Sequence, residues 1–173
     1  MKKFVILSLA LLLSACVGSE KIVKNPSDKA LVLSKIYEVK SEFGEHRIYG
    51  PVIEGDFGGL LHNDRIAIQL MKTENENYYV RIYNFHSGRG WKFIRSITTA
   101  EKETIQLEDL SQETNICLSD GCSFTEIGYA PISKSKYLLG DKDLKIRINA
   151  KRWGTQVMVI PKEYIQAFIE KSG

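Results

Sequence analysis

From residue 30 onward, apolar and polar positions alternate in short runs. Ile66, Ile68 and Leu70 of "RIAIQLMK" share one face of an extended chain. In "NYYVRIYNF", Tyr79, Arg81 and Tyr83 alternate with Val80, Ile82 and Asn84. A period of two predicts strands, and the polar turn between these runs predicts an antiparallel hairpin. "LVLSKIYEVK" is rich in β-branched and aromatic residues and reads as a further extended run. "EHRIYGPVIEGDFGG" is broken by Gly50-Pro51 and Gly58-Gly59, which suit turns or irregular edges. "WKFIRSITT" reads as a strand, and Glu103 to Leu110 carries Ile105 and Leu107 on one face. A final hairpin is predicted over Leu144 to Ala150 and Gln156 to Ile160. "SKSKYLLGDKD" reads as a short helical turn capped by Ser133 and stopped by Gly140. Only at the end does the period change. Pro161 suits a helix start, and Tyr164, Ile165, Phe168 and Ile169 then fall at helical spacing. Strands at this spacing predict a mainly β domain, an antiparallel β-sandwich or barrel-like fold with a C-terminal helix.

The first twenty residues follow another pattern. Lys2 and Lys3 precede an apolar run from Phe4 to Leu13, too short for a membrane span and the right length for an export signal. Leu13-Ser14-Ala15-Cys16 closely resembles the lipobox of bacterial lipoproteins. The resemblance implies cleavage before Cys16 and acylation of its thiol and new amino group. It also implies an outer-membrane location facing the periplasm, since Val17 is not the Asp that retains such proteins in the inner membrane. Two or three acyl chains hold a protein stably, whereas one binds marginally. The expected division is a signal over 1–15, a lipidated tether over 16–29 and a single β-rich domain over 30–173.

Composition narrows the function classes. The 158 residues from Cys16 suffice for one domain with a real core. Without Lys2 and Lys3 the formal charge falls from +3 to +1, so nucleic acid is not an expected partner. Of three cysteines, the lipobox resemblance assigns Cys16 to the lipid. Cys117 and Cys122 flank a Leu-Ser-Asp-Gly turn, and an even pair in an exported chain favours a disulfide across a hairpin. From Cys117 to the C-terminus the chain loosely resembles the invasion-associated locus B family of exported bacterial proteins. Gly121 before the second cysteine, "LLGDKDLKIRI" and "VIPKEYIQAFI" carry that resemblance. The second cysteine pair of that family is missing. The resemblance implies a small exported β-domain with this disulfide and little about activity.

Catalytic motifs are not found. His46, His62 and His86 stand outside recognised nucleophile, zinc or phosphate-loop patterns, so no catalytic residue, metal or cofactor is assigned. "NFHSGRGWKF" offers a candidate partner-binding loop. Its glycines, His86, Arg89 and Trp91 combine backbone donors with residue types that anchor interfaces. Trp153 beside Gly154 is a second candidate. The simpler alternative for both is a hairpin turn with a tryptophan packed beside it. The expected function is a non-enzymatic binding module for an envelope or secreted protein, an immunity-type protein included. The alternatives are an envelope hydrolase with dispersed catalytic residues and a structural subunit of an envelope or secretion assembly.

Overall fold

The computed structural model describes residues 21–55, 64–88, 90–118, 121–152 and 154–173. Cys16, Arg89 and Trp153 lie outside the described residues. The chain is mainly β and antiparallel, with a C-terminal helix as the sequence predicts. The larger sheet runs β1 (Tyr37–Lys40), β2 (His46–Tyr49), β4 (Arg65–Thr73), β5 (Tyr78–Gly88), β9 (Gly121–Ile132), β8 (Glu108–Leu118), with β3 (Ile53–Gly55) also paired to β4. The smaller sheet runs β11 (Thr155–Ile160), β10 (Leu144–Ala150), β6 (Ile94–Thr99), β7 (Thr104–Gln106). The two inner faces enclose one core. Ile66, Ile68, Leu70, Val80 and Ile82 meet Ile94, Ile97, Ile146, Ile148 and Ile160 across it. The predicted hairpins β4–β5 and β10–β11 form in the expected places.

Helix α2 (Lys162–Ser172) buries Tyr164, Ile165, Ala167 and Phe168 in that core. Pro161 sits at its N-cap. The Tyr164 hydroxyl donates to the Pro51 carbonyl at 2.6 Å. Gly50 makes room for it, because a Cβ there would fall 2.1 Å from that hydroxyl oxygen. A single turn of π-helix, Lys134–Leu138, is capped by Ser133 where the sequence predicts a helical turn.

Three expectations are corrected. The domain begins before residue 30: Ile22 bridges Val52, the Val23 amide donates to Val52 O at 3.0 Å, and Val23 is buried. Two apolar side chains in an otherwise polar stretch suffice to pin it, so residues 21–29 belong to the domain rather than to the tether. "LVLSKIYEVK" is not one strand. Asp28 caps helix α1 (Lys29–Lys35) by accepting from the Leu31 amide, and Val32 is buried in the shared core. Packing overrides the β-like composition there. Finally, β5 and β6 are not hairpin partners. β5 belongs to the larger sheet and β6 to the smaller one.

The face of the larger sheet turned away from the core is tyrosine-rich. Cross-strand pairing places Tyr37, Tyr49, Tyr79, Tyr83 and Tyr129 on it, with Arg81 among them. Five of the eight tyrosines thus share one face, with Tyr49 buried beneath the others, while Tyr78, Tyr137 and Tyr164 lie in the core between the sheets.

Candidate functional site: the stapled hairpin and the crossover beside it

Strands β8 and β9 make a long hairpin. Cys117 stands opposite Cys122 and the two are bonded. Ser119 and Asp120 of the predicted turn lie outside the described residues; Leu118 pairs Gly121 beneath them. β9 is interior and β8 is the last strand of its sheet. Every described side chain of β8 is exposed, from Glu108 to Cys117. Two apolar groups stand out on it: Leu110 is 48% exposed and Ile116 63%. Its charged residues are Glu108, Asp109 and Glu113, all acidic. The ladder to β9 is irregular between Glu108 and Ser111 and again between Thr114 and Cys117. Near the tip, the Ile116 amide donates to Ser123 Oγ at 3.2 Å and Asn115 Nδ2 to Thr125 Oγ1 at 2.9 Å. Such irregularities twist an edge and discourage plain strand addition. Side chains, not the open ladder, are what this edge offers.

The crossover lies against the same hairpin end, because Ser87 and Gly88 pair with Ser123 and Cys122. Here the inner face of the sheet turns polar. Asn84 stands opposite Glu126 and His86 opposite Phe124, all core-facing. Glu126 is 1% exposed. Its Oε1 accepts the Lys92 and Phe93 amides at 2.7 and 3.1 Å, and its Oε2 accepts the Ile94 amide at 2.9 Å. Phe93 adopts φ +59°, a left-handed residue within a run whose successive N–H groups converge on one anion. The buried carboxylate is thereby solvated by backbone. Lys92 Nζ pairs with Asp64 at 2.8 Å, and the second oxygen of Asp64 accepts the Ser87 amide at 3.3 Å.

His86, expected as a partner-binding residue, is placed inside, at 2% exposure. Its Nε2 lies 3.1 Å from Gly90 O and its Nδ1 3.4 Å from Asn84 Nδ2. A neutral ring donating from Nε2 and accepting at Nδ1 satisfies both. Its face stacks on Phe124 at 5.3 Å, and Trp91, half-buried, packs on the same Phe124 at 4.7 Å. The structure therefore brings together His86, Trp91 and the Cys117–Cys122 staple at one end of the sheet. It orients the first two to hold the crossover. Next to them is a cavity of about 190 Å³ lined by Asn84, Lys92, Gln156 and isoleucines. Glu126 and His86 are both engaged by partners within the fold. Among the described residues, no three His, Cys, Asp or Glu groups gather in a way that could hold a metal.

Sequence reasoning missed Glu126. Its signal was a charge at a core-facing position of the alternating run Phe124, Glu126, Gly128, Ala130, Ile132. It also missed the exposed apolar pair on β8, whose spacing carries no motif. No family model, no curated protein and no solved structure matches the chain.

Proposed function

We propose that this protein is a lipid-anchored, non-enzymatic binding module of the outer membrane. It faces the periplasm and offers its disulfide-stapled β8–β9 hairpin to an envelope or secreted protein. The observation that carries this reading is β8 itself: an exposed edge strand bearing Leu110 and Ile116 among acidic residues, its end covalently pinned. A pinned hairpin loses little conformational freedom on binding, which favours recognition. The composition of β8 fits a partner that presents apolar groups flanked by cations. The lipobox-like quartet supports the anchor. The stapled tip and the first described residues lie at opposite ends of the sheet. Tyr37, over which Lys21 stacks, is level with Tyr79, and the disulfide is level with Gly88. Nine residues of strand correspond to about 30 Å, so a chain anchored near Lys21 holds its hairpin tip about that far from the anchor point.

The test is retention of an envelope partner by the full chain from detergent-solubilised membranes, compared with Leu110→Asp and Ile116→Asp. An anchoring side chain is worth about 2 kcal/mol or more, so retention should fall about 30-fold with an unchanged melting temperature. Undiminished retention by both variants refutes the hairpin as the binding surface.

A further inference from the structure

The tyrosine face of the larger sheet is built around cations. The Arg81 guanidinium carbon lies 4.5 Å from the Tyr83 ring centroid, 5.5 Å from that of Tyr129 and 5.7 Å from that of Tyr49. Arg81 Nε is buried with no hydrogen-bond partner, and among the described residues no carboxylate forms a salt bridge with Arg81 or Lys21. Lys21 Nζ sits 3.7 Å above the Tyr37 ring. Tyr37 in turn stacks on Tyr49 at 5.2 Å. The surface therefore joins aromatic rings to cations that form no salt bridge among the described residues, with the Tyr37 and Tyr83 hydroxyls hydrogen-bonded to Gln69 beneath them and Glu108 opposite Tyr129 at its β8 margin.

Covalent geometry says what this surface meets. Cys16 and Lys21 are five residues apart, and five residues span at most about 18 Å when fully extended. An acylated Cys16 thus holds Lys21, and the ring beneath it, within a headgroup layer's reach of the bilayer. Tyrosine is the residue type that settles at that depth, with its ring among acyl carbons and its hydroxyl in water. Guanidinium and ammonium groups there meet lipid phosphates.

We infer that the tyrosine–arginine face is a membrane-docking surface, which lies on anionic phospholipid headgroups and fixes the orientation of the domain. The inference rests on the anchor at Cys16. Docking on this face lays the strands along the membrane, with the hairpin tip about 30 Å from the anchor point. Each cation near such a surface changes partitioning about fivefold, too little to bind alone and enough to bias a chain already tethered.

The experiment uses the full chain purified from membranes and reconstituted into vesicles, one set with phosphatidylglycerol in phosphatidylcholine and one of phosphatidylcholine alone. Hydroxyl-radical labelling read by mass spectrometry reports each side chain. Tyr37 and Tyr79 should be labelled at least about threefold less on the anionic vesicles, and Ile116 equally on both. Lys21→Gln and Arg81→Gln should each remove most of that protection while core Tyr164 stays unlabelled, which shows that the fold is intact. Equal labelling of Tyr37 and Tyr79 on both vesicles overturns the inference. So does protection that appears without vesicles and grows with protein concentration, which would identify a second copy of the chain as the occupant. The mass of the peptide beginning at Cys16 reports the anchor separately. If it carries no acyl groups, the anchor reading fails by itself, and the face is then tested on the same chain coupled through the Cys16 thiol to maleimide lipid.

Discussion

Glu126 is the residue whose removal should disturb this fold most per atom lost. In Glu126→Ala the amides of Lys92, Phe93 and Ile94 lose their acceptor, at a site where the side chain is 1% exposed. A buried donor left unmade costs about 1–3 kcal/mol. Three would total more than water entry and backbone relaxation permit, so the expected loss is about 3–5 kcal/mol. The left-handed Phe93 adds to the effect, since a strained conformation of about 1–3 kcal/mol persists only while its surroundings hold it. Glu126→Gln separates geometry from charge. It keeps one oxygen for the Lys92 and Phe93 amides but turns an NH₂ toward the Ile94 amide, donor against donor. About half the loss should remain. A domain of this size has about 5–15 kcal/mol in hand. With a urea slope of about 2 kcal/mol/M, Glu126→Ala should lower the unfolding midpoint by about 2 M and Glu126→Gln by about 1 M, with unchanged slope. If both variants unfold within about 0.25 M of the parent, the carboxylate is not what holds the crossover.

Other predictions address separate parts of the molecule. Phe168, fully buried on α2 against Tyr78, should cost about 3–5 kcal/mol when cut to alanine; an unchanged thermal midpoint would mean that α2 is not core. Opening the staple with Cys117→Ser and Cys122→Ser closes no loop in the unfolded chain, and for so short a loop the loss should be about 2 kcal/mol, while alkylation of the parent finds neither thiol free. Burial raises the phenols of Tyr164, Tyr83 and Tyr37 above their ordinary value of 10.0, with Arg81 only partly offsetting this at Tyr83 and a Gln69 hydrogen bond and Arg81 doing so at Tyr37. These groups are neutral when protonated and their folded values are raised. Their contribution is therefore intact below about pH 10 and lost as pH climbs above it. Ultraviolet titration should show Tyr164, Tyr83 and Tyr37 ionising late, with their contribution to stability falling in that alkaline range.

How far the sequence announces this structure depends on the kind of signal. Strict alternation with a polar turn placed β4–β5 and β10–β11, because a one-residue slip would put Ile68 or Ile146 in water. Helical spacing of Tyr164, Ile165 and Phe168 placed α2. The cysteine pair marked the β8–β9 tip. What was not legible is long-range. Nothing local in "LVLSKIYEVK" says that Val32 has a core waiting for it, so the β-like composition misleads. Nothing in "SGRGWKF" says that its backbone donors end on Glu126, over thirty residues later. A turn between two strands looks the same whether the strands pair or part to different sheets. The tyrosine face was half visible: Tyr79, Arg81 and Tyr83 alternate in plain sight, but Tyr37, Tyr49 and Tyr129 join them only through register.

The most direct test of the binding role is photo-crosslinking in intact cells. A photoreactive side chain at Ile116, 63% exposed on the hairpin, is compared with one at Val159, 39% exposed on the smaller sheet. A hairpin that engages a protein partner gives one discrete adduct from position 116 and none from 159. No adduct from 116, or the same products from both positions, contradicts it.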